Sequence, residues 1–530
     1  MPILNEISAL VKRIPTSMQE ILNERVIQIR AEIQQGVKKP YKQVLNLSSG
    51  DPQALSLKPL TFVRQVLAGC LYPTLLHGDT LPADVRQRVQ TLLGECAGEG
   101  TWSHLETHGI RKLQHSISDF ISRRDGVASD PDNIYITNGS TAAFMTLLKL
   151  FVPNGSSLQT GVLTPEPSYN GFKFALAAQG ALVVPYYLRE EQGWAVQLDE
   201  LHRAVLTAKG HCNLMALYVI NPGNPTDIHP VLSPGHVQTK DSIKDVIRFA
   251  AEERLIIMAD EVTDAHKNMI VCVYQSCMIG EGMEFCSYKR ALMEMGAPYS
   301  NMVELASINS ISKGPMGECG LRGGYVELVN FDPSMKQNIF KLFSAMQCAS
   351  LMGQIALHVM VDPPRPGQPS YPLYTNEIQS NKREIINNVR RTLGVLNSLP
   401  AITWQPVMGG MFAFPRVSFS QAAINYAQER GQEPDVMYCL RLLEDEGLCF
   451  LPGYELGMTE GIYHIRITLA AQEEIMKEAL QRLKNFHLRF LKEFPALERP
   501  GGNTNPDPLT ATASSVMGHA DPNTPLGWRH

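Results

Sequence analysis

Residues Ser307–Gly324 read SINSISKGPMGECGLRGG. An apolar stretch runs into Ser310-Ile-Ser312-Lys313, and Arg322 follows nine residues after the lysine, just before a pair of glycines. A lysine that holds a carbonyl cofactor covalently needs a fixed place beside an anionic anchor for that cofactor. The hydroxyls of Ser310 and Ser312 and the planar guanidinium of Arg322 suit a phosphate. Gly314, Gly317, Gly320, Gly323 and Gly324 allow close approach of backbone to a ligand. Alone, the Ser-x-Ser-Lys run reads more readily as a glycine-rich surface turn with an ordinary lysine. Its meaning depends on the rest of the chain.

Between residues 59 and 345, short apolar strands alternate with helical patterns. Strands are expected at Ile134–Thr137, Val162–Thr164, Ala181–Leu188, Met215–Ile220, Leu255–Ala259, Leu305–Ile308 and Tyr325–Asn330. Ser140–Val152 and Asp241–Arg254 carry helical spacing. This alternation predicts an α/β domain with a mainly parallel sheet covered on both faces, whose active site lies at the carboxyl ends of the strands. The stretch around Lys313 follows one such end.

We divide the chain into an N-terminal helix and arm (1–58) belonging with a small domain, a large domain (59–360), a smaller α+β domain (361–495) and a tail (496–530). Ser17-Met-Gln-Glu20 predicts a capping box ahead of a helix that ends near Gly36. Further helices are expected over Glu377–Leu396, near 434–446 and over Gln472–Phe494, with hairpin-like segments Thr403–Phe414 and Ile462–Thr468. The tail is rich in Pro, Gly, Asn, Thr and Ser and is predicted to be disordered.

At 530 residues, 44% hydrophobic and 19% charged, the composition is that of a globular protein of about two domains. A net charge of −5 argues against a nucleic-acid or membrane surface. The ten cysteines show neither a C-x-x-C pair nor zinc spacing, so we expect reduced thiols and no metal. No apolar run approaches the about 18 residues of a spanning helix. A cytoplasmic location is the expectation.

Four more motifs fall at strand ends. Thr137-Asn-Gly139-Ser140-Thr141 leads into a helix, where free N–H groups suit a phosphate, although Ser and Thr there also serve simply as caps. Tyr169 could stack on a planar ring or pack as a surface tyrosine. Asn221-Pro-Gly-Asn224-Pro-Thr follows the strand LMALYVI in a backbone stiffened by proline, which aims the Asn224 amide at a fixed point. Asp260 closes the strand LIIMAD, where a carboxylate could pair with a protonated ring nitrogen or merely cap. In the second domain, Tyr463-His-Ile-Arg466-Ile-Thr468 sets one arginine in an apolar strand. Its partner is either a substrate carboxylate or a structural glutamate. Gly50, in the loop Gly50-Asp51-Pro52-Gln53, is a candidate substrate contact.

A lysine, a phosphate seat, a ring-nitrogen acid, an amide donor, a stacking aromatic and a carboxylate clamp together describe a pyridoxal-phosphate site. VINPGNPT, VIRFAAEERL, ALMEMGAPY, SKGPMGECGLRGGYVE and GIYHIRIT resemble the fold-type-I aminotransferases, and more narrowly the alanine aminotransferase family, over residues 20–490. The resemblance implies that fold, with a seven-stranded sheet, and pyridoxal 5′-phosphate as cofactor. Lys313 would hold the cofactor and move the substrate proton. Gly139, Ser140, Thr141, Ser310, Ser312 and Arg322 would hold its phosphate. Tyr169 would stack on the ring, Asn224 and Tyr274 would contact its phenolic oxygen, and Asp260 would pair with its nitrogen. Arg466, with Gly50 and Asn224, would hold the substrate. The expected reaction is L-alanine plus 2-oxoglutarate to pyruvate plus L-glutamate in a homodimer, with the 101–109 loop reaching the partner's site. Alternatives are a related enzyme acting on another amino acid, or an impaired homologue.

Three departures stand out. Asp227 replaces the family's glycine after NPGNPT, and His104 replaces a loop tyrosine. Removing residues 262–272 would restore the family's run from Asp260 to Tyr274, so VTDAHKNMIVC reads as a surface loop or a translated intron.

Overall fold

The computed structural model describes residues 9–95, 109–152, 158–226, 240–261, 285–314, 316–346, 348–404 and 411–495. His104, Asp227, the 262–272 segment, Tyr274 and the 496–530 tail lie outside them.

All seven strands expected in the large α/β unit form, shifted by two residues or fewer at most of their ends. They are β1 (Ile134–Thr137), β2 (Thr160–Glu166), β3 (Leu182–Tyr187), β4 (Asn213–Ile220), β5 (Ile256–Asp260), β6 (Leu305–Ser310) and β7 (Gly324–Val329). They build one sheet in the order β1-β7-β6-β5-β4-β2-β3. Neighbours from β6 to β3 run parallel, whereas β7 runs antiparallel to both β1 and β6. The expected α/β unit with a seven-stranded sheet is therefore present, and the sheet is mixed, with one antiparallel strand.

Residues along each strand alternate between two apolar cores, as a side-chain period of two requires. Leu217, Val219, Ile257 and Ala259 face a layer holding Leu201, Ile247 and Leu292. Ala216, Tyr218, Ile256 and Met258 face the opposite layer, with Phe144, Phe172 and Phe343. Burial on both faces explains why these strands read as continuous apolar runs.

The second unit packs Tyr371–Leu396, Pro434–Glu446 and Glu473–Glu493 around short strands. Its central strand, Ile465–Thr468, is flanked by Phe412–Ala413 and Leu451–Pro452, both antiparallel to it. Leu45, Leu47 and Leu55 from the N-terminal arm share this core with Leu480, Phe486 and Phe490.

The N-terminal helix spans Met18–Gln34 and buries Leu22, Val26 and Ile29. Its cap differs from the expected box. Ser17 Oγ accepts from Gln19 N (3.1 Å) and itself donates to Glu455 Oε1 (2.6 Å), while Met18 N donates to Glu455 Oε2 (2.9 Å). Glu455, remote in sequence, thus accepts from the helix start in place of Glu20, three residues after the cap.

Among the described residues, no helix is long and apolar enough to cross a membrane.

Candidate active site

The sheet gathers the predicted site residues along one edge. Asp260 and Ser310 are the last residues of β5 and β6. Thr137 ends β1, Asn221 directly follows β4, and Tyr169 lies three residues past β2. Because β7 is antiparallel, it starts at that same edge, and Arg322 stands two residues before it. One topological fact therefore places Lys313 and Arg322 together. The loop between them folds back on itself, with Ile311 N donating to Gly323 O (3.1 Å) and Glu318 N to Ile311 O (2.9 Å).

The anion seat forms where the helix Ser140–Phe151 begins. Its cap, Gly139, has φ +82°, a conformation that side chains other than glycine's rarely adopt. A Cβ at Gly139 would come within 2.6 Å of Arg322 Nη2, and one at Gly324 within 2.9 Å of Gly139 Cα. Both glycines are demanded by this closeness. Arg322 donates to Asn138 O (3.3 Å), Cys319 O (3.0 Å) and, at the limit of a hydrogen bond, Ser312 Oγ (3.5 Å). Ser312 N donates to Ser310 Oγ (3.3 Å). Among the described residues Arg322 pairs with no carboxylate. Its charge, the serine hydroxyls and the free N–H groups of a twelve-residue helix thus fit one phosphate.

Lys313 Nζ donates to the Gly50 carbonyl and approaches Cys319 Sγ at 3.8 Å. Burial holds its pKa below the usual lysine value; Arg466 adds to this, while Cys319 and Asp51 oppose it. A lysine whose charged form is disfavoured by burial gives up its proton more readily, which suits a nucleophile and proton carrier. Cys319 Sγ sits 2.9 Å from Ser312 O, and burial raises its pKa, so it stays a thiol.

Asp260 is buried and accepts from Tyr218 Oη at Oδ2 (3.0 Å). Tyr169 is 39% exposed, its ring folded over Gly171, where a Cβ would meet ring atoms at 2.3–2.5 Å. Its pKa is raised by burial first and then by the charge of Asp260, with Arg466 and Arg322 opposing. Tyr169 therefore stands within electrostatic reach of all three charged site residues.

Arg466 lies on the central strand of the second unit, 5% exposed. Its Nη1 donates to Asn224 Oδ1 (3.2 Å) and its Nη2 to Ser48 O (2.7 Å), while Nε finds no partner among the described residues. Its guanidinium carbon lies 4.4 Å from the Phe412 ring centroid. Burial lowers its pKa to about 10, which leaves it protonated at neutral pH. No described carboxylate pairs with it. The structural arginine–glutamate reading, open from sequence, has no partner to support it among the described residues.

Several contacts escaped the sequence reading. Ser48–Gly50 ties the two units together: Ser48 O meets Arg466, Ser49 O accepts from Thr468 Oγ1 (2.6 Å), and Gly50 O accepts from Lys313. A Cβ at Gly50 would meet Phe412 Cζ at 2.8 Å and Lys313 Nζ at 2.9 Å, so only glycine fits. Thr468, two residues from Arg466 on one strand face, was signalled by strand periodicity, and Tyr218 by its hydroxyl in an otherwise apolar strand. Phe412 and Ser48 carried no such signal.

Among the described residues no cluster suits a metal ion. Residues 42–483 match the family "Aminotransferase class I and II". The chain is 41% identical over 492 residues to alanine aminotransferase 2 of Xenopus laevis, covering 93% of this chain and 88% of that one. It is 33% identical over 463 residues to glutamate–glyoxylate aminotransferase 2 of Arabidopsis thaliana, covering 86% and 92%. Among solved structures, an alanine aminotransferase from Pyrococcus furiosus superposes with a TM-score of 0.67 at 19% identity, covering 91% of this chain and 99% of that one, which speaks for the fold alone. The match over most of the chain places this protein in the class I and II aminotransferase family.

Proposed function

We propose that the chain is an L-alanine:2-oxoglutarate aminotransferase working with pyridoxal 5′-phosphate in ping-pong order, as a cytoplasmic homodimer. The observation that carries this reading is Arg466: a buried guanidinium without a carboxylate partner among the described residues, beside Asn224 and one short loop away from Lys313. A charge so placed calls for an anionic ligand, and an α-carboxylate gripped by a planar fork fits. The 41% identity to an alanine aminotransferase supports alanine as donor.

Pyridoxal phosphate, when bound, supplies a carbonyl that takes up the amino group and a protonated ring that draws electrons from the α-carbon. The chain's own groups then have defined tasks. The Ser140–Phe151 helix start, Thr141, Ser310, Ser312 and Arg322 would hold the phosphate. Asp260 would pair with the ring nitrogen, Asn224 would contact the phenolic oxygen, and Tyr169 would stack on the ring. Arg466 would bind the substrate carboxylate, and Lys313 Nζ would accept the α-proton. Asn224 serves both ligands, since its Oδ1 already holds Arg466.

Steady-state assays with paired substrates test the reading. Pyruvate should form from L-alanine with 2-oxoglutarate, at higher kcat/KM than 2-oxoglutarate forms from L-glutamate with glyoxylate. The reverse ranking would favour another donor, as in the Arabidopsis relative. Light scattering should give twice the chain mass; a fully active monomer would refute the dimer.

Residues 262–272 are expected to take no part in the chemistry. A variant lacking these eleven residues should retain or improve cofactor affinity and alanine turnover, because only Val273 would then separate Tyr274 from the Asp260-Glu261 pair. Closing a loop lengthened by these eleven residues costs only about 2 kcal/mol on the logarithmic loop-closure scale, so the full chain should fold too. Loss of both cofactor affinity and turnover on deletion, from an active parent, would make the segment functional and misplace Tyr274.

A further inference from the structure

Tyr218 lies inside β4 and is fully buried on the sheet face covered by Ser140–Phe151 and Asn170–Gln179. Its ring stacks on Phe172 with centroids 3.6 Å apart and planes 13° apart, and meets Phe144 edge-on at 5.4 Å. Its carbonyl accepts from Tyr186 Oη (2.9 Å). Such a ring has no freedom to turn. Asp260 pairs in register with Ile220, two residues beyond Tyr218, so the side chain must reach along the strand to place its oxygen 3.0 Å from Asp260 Oδ2. Tyrosine spans that distance, whereas the β-branched residues common in strands do not. Burying a hydroxyl in an apolar layer is unfavourable unless it finds a partner. Here the partner is the carboxylate proposed to face the ring nitrogen.

We infer that Tyr218 is a positioning residue for the reaction, donating to the Asp260 carboxylate and thereby keeping it ionised, so that the shared proton stays on the cofactor's ring nitrogen. This rests on the active-site reading above. A hydrogen bond donated to a carboxylate favours its charged form. Tyr218 cannot reverse roles, because burial and the Asp260 charge hold its phenol protonated, well above the usual tyrosine range. Without this donor the carboxylate becomes more basic in its buried site. The proton then moves from the ring nitrogen to Asp260, and a neutral ring withdraws fewer electrons.

The test uses Tyr218→Phe, which removes one oxygen and leaves the stack on Phe172. The full chain is loaded with pyridoxal phosphate labelled with nitrogen-15 in the ring. The parent should show a ring-nitrogen shift in the pyridinium range, and Tyr218→Phe a shift toward neutral pyridine. The same variant should lose about 10- to 100-fold in kcat/KM for L-alanine, the worth of a hydrogen bond to a charged group. Phe172→Leu loosens the packing but keeps the phenol, and should keep the parental nitrogen shift. An analogue with carbon in place of the ring nitrogen should bind parent and Tyr218→Phe equally. A parental shift with kcat/KM within twofold in Tyr218→Phe would overturn the inference while leaving the active-site reading intact. So would an equal displacement of the shift in Phe172→Leu, or equal loss of affinity for the carbon analogue, since either would mark a packing effect. A parent that took up no pyridoxal phosphate would overturn both.

Discussion

Lys313→Ala is expected to abolish the covalent attachment of pyridoxal phosphate. Borohydride reduction of the loaded parent should fix the cofactor on the peptide bearing Lys313, and on no peptide of the variant. If Lys313 Nζ also carries the substrate proton, as proposed, kcat should fall by at least about 10²–10⁴-fold, the range a positioned proton-transfer group contributes. Folding should survive. Burial already disfavours the charged form of Lys313, and a lysine whose pKa is lower in the folded chain than in the unfolded one weakens stability as pH falls through the folded value. Removing it should therefore leave the apo-protein at least as stable in mild acid, measurable as an undiminished melting temperature. A reduced adduct on any other lysine of the parent would displace Lys313 from its role.

Arg466→Lys should cost on the order of 2–4 kcal/mol in kcat/KM, or about 30- to 1,000-fold, through loss of a charge-assisted bidentate grip. Lysine keeps the charge but not the fork, and it cannot satisfy Asn224 Oδ1, Ser48 O and a carboxylate with one planar group. Nor does it offer a planar cation to the Phe412 ring, whose centroid lies 4.4 Å from the guanidinium carbon. Cofactor affinity should stay near parental, because the phosphate seat at Arg322 is built from other elements. Near-parental kcat/KM with intact cofactor binding would remove Arg466 from the substrate site.

The large sheet was legible because its central strands are buried on both faces and written as apolar runs ended by polar residues. Strand ends also located Asp260, Ser310 and Asn224, since ligand sites in such sheets gather at carboxyl edges. Contacts between distant segments were not legible. Nothing near Ser17 announces that Glu455 will receive the helix start, and nothing near Lys313 announces Gly50 as its acceptor. Both depend on how separate segments pack, which local pattern does not encode. Arg466 shows the divide best. Its apolar strand announced a buried charge, but only the assembled structure shows Asn224 and Ser48 around it and no carboxylate partner among the described residues.

The most direct measurement is a half-reaction. Protein loaded with pyridoxal phosphate, freed of excess cofactor, is mixed with L-alanine and no acceptor. One pyruvate should form per subunit and then stop; 2-oxoglutarate added afterwards should yield one L-glutamate per subunit. Absence of the pyruvate burst, or continued pyruvate release with ammonia and without 2-oxoglutarate, would contradict amino-group transfer by this site.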